Sequence, residues 1–478
     1  MPELTPRVCT AAGLLVLLVL VLLAHLLRPR TTSLPVYYAA PTGSGDGSSA
    51  TSPMRVDQFW ALAQPGSTLV LLDGTYGTIE SPPGLGGTPA APITITAQHD
   101  GKVLIEGGGY FGVLIQGDWW VIAGMNARNG GEKLYYLKGN HNRGRRVIGW
   151  NGQHGAEDAN IFNTGQGVDN VFEDCAGWGQ DSRKIFDGAQ VKAANQEAGW
   201  SGYVRCWGMF NDWPGGVSHP TDTAQSGYRT RQQRWENNVF TLNLTGDRGD
   251  LEGIFTNFFD CDRSDNSLSG TRILGNIFYL PSRYQFPAGQ LVSTWCTSDV
   301  VMRDTIALVE AGAHETVKPF WFGRLTGYPE RNNTCTNCVS VHSGTPSSVD
   351  PDTGWTFTPA LREGRTVAEA MGGASLWTTL PGLCTRYENG QLTSIPLWPW
   401  PMAGRIKEAL ALAGQEVIDV TAEVERVLGP IPQACTQGRT PIPPEPPTPG
   451  AITLACTGTI SAVPGPLALE CVPKEGRR

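Results

Sequence analysis

Two groups of titratable residues stand close enough along the chain to act together. The first is basic: Arg183-Lys184-Ile-Phe-Asp187, with Lys192 nearby and Arg229 and Arg231 further on. Such a group offers positive charge to an anionic ligand, and a Lys or Arg whose pKa is lowered by neighbouring cations can take a proton. The second is acidic: Asp247, Asp250 and Glu252, then Asp260, Asp262 and Asp265. Asp260, Asp262 and Asp265 offer oxygen ligands that suit Ca2+, although their spacing is not that of an EF-hand loop. Each group also has a plainer reading. A Lys or Arg flanking a strand is usually a solvated face residue, and Asp in a Gly/Ser-rich turn usually caps backbone amides. His219, within Gly215-Gly-Val-Ser-His-Pro-Thr-Asp222, reads as a loop residue. No nucleophile elbow, phosphate loop, H-E-x-x-H or dinucleotide fingerprint stands in a credible context.

The elements that must hold these residues are short strands. Gly is 59 of 478 residues, and only 17% are charged, against roughly 25% in an average soluble domain. That composition suits strands and tight turns better than amphipathic helices. Similar strands end at Asn126, Asn151, Cys175, Cys206, Asn238, Asn276, Asp304 and Cys338. A coil repeated at about that interval is a solenoid. Asn, Cys and Asp recur where strand meets turn, and stacked amides there can hydrogen-bond to the coils above and below. Another strand precedes each of these and ends in x-Gly: Gln116-Gly, Lys138-Gly, Thr164-Gly, Asp187-Gly. If the glycines are level, Gln116, Lys138, Thr164 and Asp187 form one column on one face. Coils lengthen after Cys175, and insertions on a solenoid often gather on the binding face.

The opening of the chain carries a resemblance. Val36-Tyr-Tyr-Ala-Ala-Pro-Thr-Gly-Ser-Gly-Asp leads into a short helix over about 54–63. Pro65-Gly-Ser-Thr-Leu-Val-Leu-Leu-Asp-Gly-Thr-Tyr follows, then Ile93-Thr-Ile-Thr-Ala and Val103-Leu-Ile-Glu-Gly. This resembles the pectate-lyase-like superfamily of right-handed parallel β-helices: a capping helix, then strand after strand. The resemblance implies an all-β solenoid and a polysaccharide partner. Lyases of this fold neutralise a uronate carboxylate with Ca2+ or basic side chains, and an Arg or Lys removes the adjacent proton. Carried over, Lys184 becomes the candidate base, Arg183 the carboxylate binder and Arg229 a candidate for either role. Gln116, Lys138, Thr164, Asp187 and Glu252 become substrate-binding candidates, and Asp260, Asp262 and Asp265 the Ca2+ ligands. Hydrolases of the same fold use paired carboxylates, for which Asp247, Asp250 and Glu252 are candidates. Trp200, Trp207, Trp213 and Tyr228 crowd the insertions and either stack on sugars or fill thick loops.

Charge and punctuation bound the rest. A net charge of −8 with no basic stripe argues against a nucleic-acid partner. Ala11 to Leu27 is an apolar run just long enough to span a bilayer, followed by Arg28-Pro-Arg30 rather than a small-residue cleavage site. An uncleaved signal anchor over residues 11–27 is the first expectation and a cleaved signal the second. Either puts the body outside the cytoplasm, although Arg28 and Arg30 weakly oppose that orientation. Ten of the eleven cysteines follow this segment, so disulfides are permitted; Cys335 and Cys338 form the only C-x-x-C, with no second pair for zinc.

The expected organisation is an anchor and flank (1–35), a β-helix (36–345), a helical and irregular cap (346–435), a Pro-rich linker (436–450) and a Cys-containing tail (451–478), where Cys456 and Cys471 could pair. Residues 365–372 and 401–428 read as helices that cover the open end of the solenoid, with Asp419 or Thr421 as N-cap of the last. Two functions from different classes are compatible with this: a lyase on an acidic polysaccharide, or a non-catalytic surface protein that binds glycan or acts as a spacer.

Overall fold

The protein is seen in a computed structural model that describes residues 34–152, 159–165, 167–179, 184–188, 199–211, 221–226, 232–243, 251–258, 270–283, 289–323, 330–351 and 353–437. Residues 11–27 and the tail with Cys456 and Cys471 lie outside the described residues. Among the described residues no helix is long and apolar enough to cross a membrane.

Short strands wind through three long sheets of 12, 11 and 10 strands, and each interior strand pairs in parallel with its counterparts one coil before and one coil after. The first sheet runs from Val36–Ala39 to Trp355–Thr358, the second from Gly74–Tyr76 to Arg362–Gly364, and the third from Ile79–Glu80 to Ser348–Val349. This is the right-handed parallel β-helix the repeat predicts. Among the described residues the only α-helix before the last coil is Val56–Phe59, whose Phe59 is fully buried in the solenoid core.

Inside, each strand sends apolar side chains into stacks that run along the axis. Tyr135, Phe162 and Phe186 lie ring on ring at 5.2 and 4.9 Å, and Phe172, Tyr203 and Trp235 at 5.8 and 4.7 Å. In-register parallel strands place like residues above one another about 4.8 Å apart, which is why aromatic side chains stack here.

The amide ladder exists, with part of its membership corrected. Asn238 accepts from the Cys206 amide (2.8 Å) and Asn276 from the Asn238 amide (2.9 Å). Strand register puts Cys175 level with Cys206, Thr305 rather than Asp304 level with Asn276, and Val147 rather than Asn151 level with Cys175. A second ladder escaped the sequence reading: Trp120 N donates to Asn142, Asn142 N to Asn170 and Asn170 N to Ser201, at 2.8–3.1 Å.

Helices form at Val367–Met371, Leu376–Thr379, Ala403–Leu412 and Val420–Leu428, the last capped by the Asp419 carboxylate on the Thr421 and Ala422 amides. They do not lie over the open end. They pack along the outer face of the second sheet, where Ile148, Trp150, Trp178, Trp207, Tyr279 and Leu308 form one buried cluster with Trp377, Ile406, Leu410 and Val424. Arg405 reaches Asn126 (3.0 Å) and Asp100 (3.1 Å) in the early coils, while Arg426 pairs with Glu310 in the late ones. The outward apolar column of the second sheet needs a cover, and these helices supply it.

An antiparallel hairpin, Thr385–Glu388 with Gln391–Pro396, closes on the outer face of the first sheet. Gly390 N donates to Glu236 (2.8 Å), Arg234 donates to Asn389 Oδ1 (2.6 Å) and Tyr387 OH donates to Asp304 (2.7 Å). Disulfides join Cys384 to Cys435 and Cys335 to Cys338; Cys175 and Cys206 are buried thiols.

Candidate functional site

The outer face of the third sheet carries two columns of side chains fixed by register. One runs Phe111, Lys133, Asn160, Lys184, Asp222; the other runs Leu114, Tyr136, Asn163, Asp187, Gln225, Thr256, Ser293. The inward column of the same strands is Val113, Tyr135, Phe162, Phe186, Ala224, Phe255 and Val292, all in the core. Each middle strand puts two consecutive residues into the core, Leu134 and Tyr135, Ile161 and Phe162, Ile185 and Phe186, so the residues flanking each pair share the outer face and make it polar there.

That polar belt is buried and hydrogen-bonded. Lys184, 2% exposed, opens the strand Lys184–Gly188, and its Nζ lies 3.9 Å from Asp187 Oδ1. Asp187 Oδ2 accepts from Asn163 Nδ2 (2.9 Å) and Asn160 Nδ2 (3.4 Å). On the next strand the fully buried Asp222 accepts from Thr256 Oγ1 (2.9 Å) and Gln225 Nε2 (3.2 Å), and Ser293 donates to Thr256 (3.3 Å). One ammonium therefore contacts the Asp187 carboxylate, and Asp222 stands level with it on the next strand, with amides and hydroxyls around the two acids. Buried charges require such pairing and hydrogen bonding.

The sequence candidates fall unevenly on this belt. Lys184 and Asp187 share a strand and a charge contact. Thr164 is buried one residue past Asn163, and Gln116 is half-buried, donating to Ser81 O (2.8 Å) and Glu80 (3.3 Å). Lys138 is exposed. The single column expected from Gln116, Lys138, Thr164 and Asp187 does not form. Tyr136 pairs with Leu114 and Asn163, and Asn163 with Asp187, so Gln116 and Lys138 lie two residues beyond Asp187's column and Thr164 one residue beyond it. The glycines mark turns of unequal length, not a common level. Glu252 is the extra residue where the strand Leu251–Phe258 shifts register against Thr221–Ser226, in the same sheet. Arg183, Arg229, Asp260, Asp262 and Asp265 lie outside the described residues, as do Asp247, Asp250, His219, Trp213 and Tyr228. Trp207 fills the second sheet's outer cluster, and Trp200 stacks under Arg272, 3.7 Å from its ring centroid.

Sequence reasoning missed Asn160, Asn163, Asp222, Gln225 and Thr256. Asp222 looks like the end of a loop in sequence because Thr221–Ser226 turns only the small Thr223 and Ala224 inward and so lacks the bulky apolar residues that mark a strand. Among the described residues no three His, Cys, Asp or Glu side chains gather as a metal-ligating group. The Gln225 amide oxygen, buried beside Asp222, finds no donor among them.

A sequence profile of the chondroitinase B family matches residues 51–151, the early coils, and stops short of Lys184. Pectate lyase L of Dickeya chrysanthemi is 26% identical over 198 residues, 37% of this chain and 46% of that protein. Pectate lyase L of Dickeya dadantii (strain 3937) is 30% identical over 125 residues, 22% of this chain and 29% of that protein. The chain thus spans less than half the length of the curated relatives it matches. A solved rhamnogalacturonan lyase superposes with a TM-score of 0.48 at 11% identity, covering 69% of this chain and 87% of that one. Three all-parallel sheets wound as one solenoid, together with the sequence likeness of its coils, make the chain a right-handed parallel β-helix of the pectate-lyase-like superfamily, with no single catalytic family marked out.

Proposed function

We propose that this protein is an extracytoplasmic polysaccharide lyase acting on uronate-containing glycans. The observation that carries the proposal is the belt itself: a buried lysine 3.9 Å from one carboxylate and level with a second on the next strand, among amides, on the sheet face that continues out to exposed Lys138. Likeness to proteins named pectate lyase supports a lyase over other enzymes.

In the reaction a base removes the proton on the carbon beside the uronate carboxylate. The electron pair left behind forms a ring double bond as the glycosidic C–O bond breaks, and the leaving oxygen takes up a proton. Lys184 is the base candidate. The amides of Asn160 and Asn163 and the Thr256 and Ser293 hydroxyls hold the two Asp side chains in place. Asp260, Asp262 and Asp265, the residues that would hold Ca2+, lie outside the described residues; when bound, that ion supplies positive charge opposite the substrate carboxylate.

One observation favours the other reading. Lys184 is 2% exposed and already engaged with Asp187 at 3.9 Å, an arrangement suited to holding charge in place. A non-catalytic glycan binder would need nothing more. The test is ultraviolet absorbance of the unsaturated product across pectate, alginate and glycosaminoglycans, with and without Ca2+. Absorbance that rises with wild type and stays flat with Lys184→Met supports the lyase. Flat traces throughout, from protein that still binds glycan, leave the binding reading in its place. Location is tested by protease on spheroplasts: a body outside the membrane is digested before lysis.

A further inference from the structure

On the same face of the third sheet, two coils before Lys184, the side chains change from polar to aromatic. Tyr110 packs edge-on against Phe111 at 4.7 Å, and Phe111 stacks on Tyr136 at 5.8 Å with the ring planes 27° apart. Tyr110 is 56% exposed, and Phe111 and Tyr136 are half-buried. None of the three belongs to the hydrophobic core. The turns beside them are held low by glycine: a Cβ on Gly131 would stand 2.4 Å from Gly109 O, and one on Gly107 would stand 2.5 Å from Gly130 Cα. Lys133 Nζ lies 5.8 Å from the Tyr136 ring centroid, and Lys138 is exposed two residues further along the same strand direction.

We infer that Tyr110, Phe111 and Tyr136 form a stacking platform for one or two pyranose rings of an acidic polysaccharide. The inference rests on the proposal that this sheet face takes such a polymer, and adds where its chain lies. A pyranose has a face of C–H bonds that covers an aromatic ring, while its hydroxyls and carboxylate point outward to polar neighbours. Those neighbours are present at the rim as the Lys138 ammonium and the Gln116 and Glu80 side chains. Continuity with the belt fixes the occupant. Tyr136 pairs with Asn163 and Asn163 with Asp187, so the platform stands two strands away, on the order of 10 Å. A polymer lying along the solenoid axis would reach Asp187 and Lys184 with its next sugars.

The experiment measures binding of the full chain to polygalacturonate, alginate and chondroitin sulfate by affinity electrophoresis and calorimetry, with circular dichroism as the fold control. Tyr110→Ala and Tyr136→Ala are expected to weaken binding about three- to tenfold, the range of a lost aromatic contact, with Tyr136→Phe close to wild type. The loss should be larger for long oligosaccharides than for dimers, which reach only the belt. Folded Ala variants that bind within twofold of wild type overturn the platform, even if turnover is normal. A wild type that binds but never forms unsaturated product sinks the lyase reading and leaves the platform standing. A wild type that binds none of the polymers overturns both.

Discussion

Lys184 illustrates how burial changes what a residue can be asked to do. Read as a strand-flanking lysine, it is solvated and its removal nearly free of cost. In the fold it is 2% exposed and faces Asp187. Lys184→Met is therefore expected to abolish turnover and also to lower stability by about 1–3 kcal/mol, because Asp187 keeps its Asn donors but loses its counter-charge. Urea unfolding of both proteins checks this; a variant as stable as wild type would show that the pair contributes nothing. Carboxylates elsewhere give a local pH signature. Burial pushes the Glu236 and Asp304 carboxyls up, only partly opposed for Glu236 by Arg234, while hydrogen bonds from Lys407 and two backbone amides hold Asp419 down. A raised carboxyl contributes stability below its unfolded pKa and loses it as pH rises through the folded one; a lowered carboxyl does the reverse. Acidifying from neutral towards the ordinary carboxylate range should relieve the burial penalty on Glu236 and at the same time weaken the hydrogen bond it accepts from Gly390 N, because that bond favours the ionised carboxyl. Acidifying below that range should loosen the helix whose Thr421 and Ala422 amides Asp419 caps. Amide exchange, corrected for intrinsic rate, should quicken at Gly390 in the first window and at Ala422 only in the second; both quickening in the same window would contradict the assignment.

At the scale of elements, the strands were legible and their levels were not. Alternation and Gly or Asn punctuation locate the repeating strands, since inward positions must be apolar and turns must be tight. Register depends on how many residues each turn consumes, and Gly165 and Gly188 sit at different heights from Gly117 and Gly139; hence the false column through Thr164 and Asp187. Half of the candidate site was visible for the same reason. Lys184 and Asp187 stand in a strand with the large inward residues Ile185 and Phe186, whereas Asp222 and Gln225 stand in one whose inward residues are the small Thr223 and Ala224. The position of the last helices was illegible because Trp150, Trp178 and Trp207 lie in strands buried on both faces, which do not show which face awaits a partner. The Cys384–Cys435 bridge ties that region together across 51 residues of sequence. Replacing both cysteines with serine should cost up to about 4 kcal/mol by chain-entropy arguments. A thermal scan in which hairpin and helices melt with the solenoid in wild type and ahead of it in the variant would show the effect; an unchanged scan would refute it.

For the molecule as a whole, the C-terminal flank acts as a strap. Arg405 holds it to Asn126 and Asp100 near one end and Arg426 to Glu310 near the other, so coils that touch only their neighbours are also joined at long range. Arg405→Ala should release the early end first, seen as faster amide exchange around Asn126 and Trp150 with late coils unaffected; uniform loosening would instead mean that the strap acts as one body. Its place in the sequence has a consequence in time. The tryptophan-lined outer face of the second sheet is complete at Trp207, about 200 residues before Ile406, one of the residues that cover it. At synthesis rates of about 5–20 residues per second, that face stays bare for on the order of 10–40 s in every newly made molecule. During that interval a sticky hydrophobic ribbon is presented to its surroundings, and a holding chaperone on whichever side of the membrane folding occurs would protect the chain from aggregation.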